Sequence, residues 1–421
     1  MKKFFLPLFF LGMSVWASGQ TSRAELPLAD IKMDVPSPTY SIPLEEVNPF
    51  LSWSAVWNEG ASGLWVRFSS DERTWTEWVF EAPDLHAAEI PGRVIGQLRF
   101  EDAAMRYFQV RAAEDVSDIV FHFFSPGASA AVAPHEVEEI LACPCPMPAP
   151  LRRTDWCPAG NCPPNPNPSF TTVTHLIVHH SASSNTASDW AAVVRSFWNF
   201  HVNTNGWADI GYNWLIDPNG ILYEGRGDNV TGAHFCGTNG ATMGVCVIGD
   251  FTSATPTQAA LAKLRDLLAW KACNVNADPL ATTFHPNSGL TLKRISGHRD
   301  GCTTACPGDA FYPMLPAIRQ GVSDHIAQVC STLGASEDAV SEKVLRVYPN
   351  PAGDWLLVEA PFDSGGWLQI IHNNGIRAMP VRWVSGLETI QISLSGWPSG
   401  IYRAVVRNPE GAERRAVFIK P

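Results

Sequence analysis

Between Pro126 and Pro168 proline recurs too often for any regular element to run through. The run includes Cys143-Pro144-Cys145-Pro146 and Pro164-Asn165-Pro166-Asn167-Pro168. Each proline locks φ and removes a backbone donor, so no regular element is expected there. A second break, Ser331 to Lys343, is small and polar. A chain of 421 residues cut in this way must divide, and its length alone favours about three domains. We draw linkers at 127–150 and 331–344, leaving three stretches with different periodicities.

Residues 21–126 read as an all-β sandwich. Short runs rich in aromatic and β-branched residues, such as Leu64-Trp65-Val66-Arg67-Phe68, Tyr107-Phe108-Gln109-Val110 and Ile119-Val120-Phe121-His122-Phe123, are separated by turn signals. Asp71 to Trp75 forms a hairpin turn, and the aromatics are expected to pack a core. From 151 to 330 the pattern changes to mixed α and β. Strands are expected at Thr174–His179, Tyr212–Ile216, Ile221–Glu224 and Gly244–Ile248, with a hairpin turn at Pro218-Asn219-Gly220. Ser188 is placed to cap a helix whose Trp190, Val193, Val194, Phe197 and Trp198 recur at helical spacing. Thr257 is placed to cap a second helix carrying Leu261, Leu264 and Leu268, and a last helix is expected over Leu315–Val329. This is a mixed β-sheet flanked by helices. Residues 345–421 return to β patterning, as a small sandwich. No internal repeat is evident.

Residues 1–20 have the form of a signal peptide, with Lys2 and Lys3 before the apolar run Phe4 to Val15 and small residues Ala17, Ser18 and Gly19 near the cut. Export is expected on this ground, with no integral membrane segment after the signal is removed. A net charge of −11 argues against a nucleic-acid partner, because such binding needs a basic surface. Ten cysteines in an exported chain make disulfides the default. Cys157 with Cys162, and Cys273 with Cys302, are candidate pairs, although connectivity is not readable from sequence.

Ligand-capable residues gather in the central stretch. His179 and His180 end a buried strand, while His298 and Cys306 lie eight positions apart in GHRDGCTTACPG, residues 297–308. One strand imidazole with a loop imidazole and a thiolate makes three ligands. That leaves the fourth tetrahedral position of a Zn²⁺ ion for water, the arrangement of catalytic rather than structural zinc. Zinc polarises a carbonyl and lowers the pKa of water to about 7, so one ion serves both halves of amide hydrolysis.

The surrounding segments carry a resemblance. Arg153-Thr154-Asp155-Trp156, LIVHHSAS at 176–183, DIGYNWLIDPNGILYEGR at 209–226, GAH at 232–234, MGVCVIGDF at 243–251 and GHRDGCTTACPGD at 297–309 stand in order over most of the domain. Together they resemble the peptidoglycan recognition proteins and the type-2 N-acetylmuramoyl-L-alanine amidases. The resemblance implies a zinc amidase fold, peptidoglycan or muropeptides as partners, and His179, His298 and Cys306 as zinc ligands. It implies Tyr212 as the catalytic tyrosine and Thr304 as a positioning hydroxyl beside the metal. His180, His201, Arg226 and His234 become candidates for substrate contact, and Glu224 a charged strand end. The paired cysteines of many animal relatives are absent here, and Gly227-Asp228 stands where relatives read the third stem residue, so stem preference stays open. A non-catalytic muropeptide-binding protein is the alternative; such members lack the cysteine ligand.

Val347-Tyr348-Pro349-Asn350-Pro351, Asn374-Gly375, Ser399-Gly400-Ile401-Tyr402 and Phe418-Ile419-Lys420 resemble a type IX secretion sorting domain. That likeness implies passage through the type IX machinery to the cell surface or medium, with the domain then removed. A permanent accessory sandwich is the other reading.

Overall fold

The computed structural model describes residues 21–43, 51–84, 87, 90–134, 145–330, 345–359, 362, 364–372, 377–385, 389–410 and 412–420. The expected signal segment 1–20, the linker 331–344, part of the first linker and Asn374-Gly375 lie outside these residues.

The first domain is two facing antiparallel sheets. One runs Ser22–Pro27, Val120–Ser125, Ser52–Asn58 and Arg93–Ile95, with Arg99–Phe100 also paired to Ser52–Asn58. The other runs Tyr40–Ser41, Tyr107–Ala112, Leu64–Ser69 and Val79–Glu81. Strand alternation sends Leu64, Val66 and Phe68 inward and Trp65 and Arg67 outward. The aromatics pack as expected: Trp53, Phe68, Phe108, Phe121 and Phe123 share one core, with Trp53 stacked on Phe121 at 5.6 Å. The third domain is likewise two-layered, with three-stranded and four-stranded antiparallel sheets around Leu356, Ile370, Tyr402 and Phe418.

The central domain carries a six-stranded mixed sheet. Its strands are β1 (Pro150–Leu151), β2 (His175–His180), β3 (Trp214–Ile216), β4 (Leu222–Glu224), β5 (Thr242–Val247) and β6 (Ile295–Gly297), in spatial order β1-β4-β3-β5-β2-β6. The β3–β4 pair is antiparallel across the Pro218-Asn219-Gly220 turn; the other neighbours are parallel. Every residue of β2 and β5 is buried, the mark of strands covered on both faces. On one face lie α2 (Gln258–Asn274) and α3 (Leu315–His325). Thr257 caps α2 by accepting from the Ala260 N–H, and the last expected helix ends its α-helical part at His325, passing into a π turn.

On the other face lies α1 (Trp190–Asn199), capped by Asp189 rather than by Ser188. The Asp189 carboxylate reaches the Ala192 N–H at 2.9 Å, three residues on, which fits the reach of an N-cap side chain. Nearly all of α1 is buried because two surfaces cover it: the sheet on one side and the first domain on the other. Leu51, Leu98 and Phe100 pack into its cluster, and Phe100 meets Phe197 edge-to-face at 5.9 Å. Arg195, 3% exposed, donates to the carbonyls of Pro126 (2.8 Å), Gly127 (2.9 Å) and Trp156 (2.5 Å). The start of the proline-rich connection is thereby tied to the central domain. Its later part, contrary to expectation, holds regular structure: β1 at the edge of the sheet, where a proline costs no ladder bond, and one helical turn over Arg153–Trp156, between prolines.

Cys157 and Cys162 are bridged, as expected. Cys302, however, pairs with Cys236 across 6.1 Å between Cα atoms, and not with Cys273, which is bonded elsewhere. Cys302 lies in the loop after β6, which folds back over the segment before β5, while Cys273 ends α2. Cys246 and Cys306 are the free, buried thiols among the described residues. None of the described helices is long and apolar enough to cross a membrane.

Candidate metal centre and catalytic cleft

Parallel β2 and β6 end side by side, so the residues just beyond the two strands meet at one edge of the sheet. That is where ligands gather in sheets of this kind. His179 sits near the end of β2, His298 comes directly after β6, and Cys306 is carried back by the loop beyond it. All three are buried, at 1%, 3% and 3% exposure, with their donor atoms within 4.8 Å of one another. The Cys306 Sγ lies 3.7 Å from the His179 Nδ1. Nitrogen at about 2.1 Å and sulfur at about 2.3 Å from one tetrahedral ion stand roughly 3.6 Å apart, so the spacing suits a shared dication. Burial pushes the Cys306 thiol up to about 12, despite the His180 N–H and the Arg299 charge that favour the thiolate. A cation is the ordinary way to hold a thiolate there.

The protonation pattern behind His179 fits the same ion. The Thr242 hydroxyl donates to the Asn239 carbonyl at 2.7 Å, so its oxygen is left to accept from the His234 Nε2 at 3.3 Å. His234 Nδ1 then carries the lone pair and accepts from the His179 Nε2 at 3.1 Å. The His179 Nδ1, beside the thiol, is therefore the bare nitrogen that a metal requires. Burial, helped by the Arg226 charge, lowers His234 to about 3, so it stays neutral and serves as an acceptor. Gly232 and Gly244 make the room: a Cβ at either would lie 2.3 or 2.5 Å from the His234 ring.

A cavity of about 720 Å³ opens beside this cluster, lined by His179, His298, Cys306, Tyr212 and Thr304 among others. The Tyr212 ring lies 5.3 Å from that of His179. Part of its surface faces the cavity, yet burial of the phenol, with the nearby Cys246 and Cys306 thiols, raises its pKa well above the usual value. It is a neutral donor at any physiological pH. The Thr304 Oγ1 accepts from the Cys306 N–H at 3.1 Å, which seats the hydroxyl beside the thiol.

The remaining expected contacts divide. His180 and His201 line the cavity, but each already has a structural duty. The His180 Nδ1 accepts from the Phe251 N–H at 3.2 Å, and the His201 Nδ1 accepts from the Gly211 N–H at 3.2 Å. His201 also stacks on Trp207 at 4.8 Å and meets Tyr212 edge-on at 5.8 Å, so it backs the tyrosine. His234 borders the cavity but directs both ring nitrogens at protein atoms. Arg226 does not line it. Its guanidinium binds the carbonyls of Ile210 (2.7 Å), Thr231 (2.8 Å) and Asp209 (3.3 Å), stapling the loop before Tyr212. Asp228 is paired with the buried Lys271, and Glu224 holds the Arg153 N–H at 3.3 Å and Arg152 at 3.4 Å. Sequence reasoning did not find Thr242 and Asn239; Asn239, five residues after His234, is the only local cue.

Residues 169–309 match the family described as N-acetylmuramoyl-L-alanine amidase (Amidase_2). The human protein named N-acetylmuramoyl-L-alanine amidase is 38% identical over 144 residues, which is 33% of this chain and 23% of that protein. The chain spans 23% to 33% of the length of the first three mammalian amidases it matches. Peptidoglycan recognition protein 1 of Bos taurus is 33% identical over 146 residues, 34% of this chain and 70% of the relative. Among solved structures, Drosophila PGRP-LB aligns at 27% identity and a TM-score of 0.34, covering 40% of this chain and 92% of that one. The matched region holds His179, Tyr212, His234, His298, Thr304 and Cys306 together. Through it the chain belongs to the family of N-acetylmuramoyl-L-alanine amidases and peptidoglycan recognition proteins.

Proposed function

We propose that this protein is a zinc-dependent amidase that hydrolyses the amide between N-acetylmuramic acid and L-alanine in peptidoglycan. The observation that carries the proposal is the buried His179, His298 and Cys306 triad opening onto a cavity walled by Tyr212 and Thr304. Three protein donors are the number found at catalytic zinc, where structural sites use four. Binding without cleavage would need no such cluster.

When bound, the zinc ion supplies Lewis acidity toward the scissile carbonyl and brings the pKa of water near neutrality. The chain's own residues do the rest. His234 holds the His179 imidazole in one orientation and one tautomer through the 3.1 Å bond. Tyr212 keeps its proton and donates to the oxygen on which charge develops. Thr304, whose hydroxyl is a poor base, orients rather than removes protons. His201 and Trp207, stacked behind Tyr212, hold the phenol in place. In this proposal the protein acts outside the cell, exported by its first twenty residues and its type IX-like third domain.

The test is mass spectrometry of peptidoglycan from two wall types after incubation with the purified full chain, with chelator and with zinc restored. The expected products are free stem peptides starting at L-alanine, lost with chelator and recovered with zinc. Muropeptides that bind yet remain uncut would establish the recognition-only reading instead.

A further inference from the structure

The cavity beside the candidate metal centre is not built by the amidase domain alone. Asp84, Ala87, Gln97, Leu98 and Arg99 of the first domain line it together with the catalytic residues. The two domains meet firmly at this point. Leu98 and Phe100, flanking Arg99, pack into the α1 cluster, and residues 99–100 are themselves paired to the strand Ser52–Asn58. The Leu98–Phe100 part of the wall is therefore anchored on both sides.

Arg99 is held in an unusual way. Its Nε donates to the Glu81 Oε2 at 2.7 Å and its Nη2 to the Phe80 carbonyl at 3.2 Å, while Nη1 makes no hydrogen bond among the described residues. The Glu81 side chain is wholly buried against an Arg99 side chain that is 29% exposed. Its second oxygen has no partner, and the bare Gly96 makes the space, since a Cβ there would stand 2.5 Å from that oxygen. Burying a carboxylate to pair with a half-exposed cation gains little stability. It does fix the cation in place.

We infer that the first domain forms the second wall of the substrate cleft, with Arg99 binding a carboxylate of the peptidoglycan stem peptide. This rests on the function proposed above. Stem peptides carry free carboxylates that some walls convert to amides, and a guanidinium edge with unused N–H groups recognises the former. The other charged groups on the cleft walls are acidic. Asp84 shares the first-domain wall with Arg99. Asp250 lies on the central domain, where burial would raise its pKa but the Thr252 hydrogen bonds and the His180 and Arg99 charges leave it lowered. Without Arg99, two carboxylates would face the incoming anion. Glu81 supports the arrangement: burial, outweighing Arg99, raises it to about 7, so it leaves much of the arginine's charge uncancelled.

The test is calorimetric binding of a muramoyl tripeptide with free carboxylates, and of the same compound amidated, to the metal-stripped full-length chain. Wild type should prefer the free acid by about ten- to a hundredfold. Arg99→Gln should abolish or reverse that preference, and Arg99→Lys should restore part of it. Glu81→Gln, which alters no cleft surface, still offers the Arg99 Nε an acceptor and removes what charge Glu81 carries, so it should keep the free-acid preference at or above the wild-type value. An unchanged preference in Arg99→Gln, no preference in wild type, or no binding of either compound would overturn the inference. Carboxylate-dependent binding by a chain that still leaves the compound uncut once zinc is restored would sink the amidase function alone, and cleavage by the zinc-restored chain that is indifferent to amidation would sink the Arg99 wall alone.

Discussion

Replacing His234 with phenylalanine probes whether the metal centre is prepared from behind. The ring volume is retained, so the pocket formed by Gly232 and Gly244 stays filled. What is lost is the acceptor 3.1 Å from the His179 Nε2 and the link onward to Thr242. The His179 Nε2–H then faces an apolar ring in a buried site, a loss of about 1–3 kcal/mol. That cost falls on the tautomer whose Nδ1 faces Cys306, so it appears in metal affinity as about a ten- to hundredfold loss. Competition with a chromophoric chelator measures the zinc dissociation constant, and a thermal melt checks the fold. His234→Gln, whose carbonyl is able to accept, should recover part of the loss. A folded His234→Phe protein that binds zinc like wild type but shows a raised KM would refute the reasoning and return His234 to the substrate groove.

Three further outcomes are expected. Cys306→Ser should lose zinc and cleavage while keeping its circular dichroism spectrum; full activity with full zinc occupancy would remove the thiolate from the centre. Tyr212→Phe should retain zinc but lower kcat about 10²- to 10³-fold, the usual worth of one donor to a developing oxyanion; an unchanged kcat would assign that role elsewhere. Glu81 gives a pH signature. Its ordinary value of 4.5 is raised to about 7 by burial, so the folded chain binds the extra proton, and the stability this confers is present below pH 4.5 and lost as pH rises to about 7. Melts across that window should fall more steeply for wild type than for Glu81→Gln, by roughly 3 kcal/mol at most; equal slopes would contradict the assignment.

Some features could be read directly from the chain. The helical spacing of Trp190, Val193, Phe197 and Trp198, the cap at Thr257 and the alternation through Leu64–Phe68 are local, and each appears where expected. A cap shifted by one residue, from Ser188 to Asp189, because two adjacent residues both had the chemistry and only backbone geometry chose between them. Pairings across the fold were not legible. Cys302 took Cys236, 66 residues away, because the loop after β6 doubles back over the segment before β5, and no periodicity records that.

The sequence alone pointed to sheet-rich stretches on either side of a mixed α/β one, to the main element types and to the candidate metal triad, since proline, alternation and ligand chemistry act over short range or are properties of the residues themselves. Tertiary structure decided what each residue does. It turned His234 from a groove residue into the partner of His179, tied Arg226 to three carbonyls, and brought Arg99 to the edge of the cavity beside the metal triad. Those roles depend on hydrogen-bond directions and surfaces that exist only after strands distant in the chain are laid side by side.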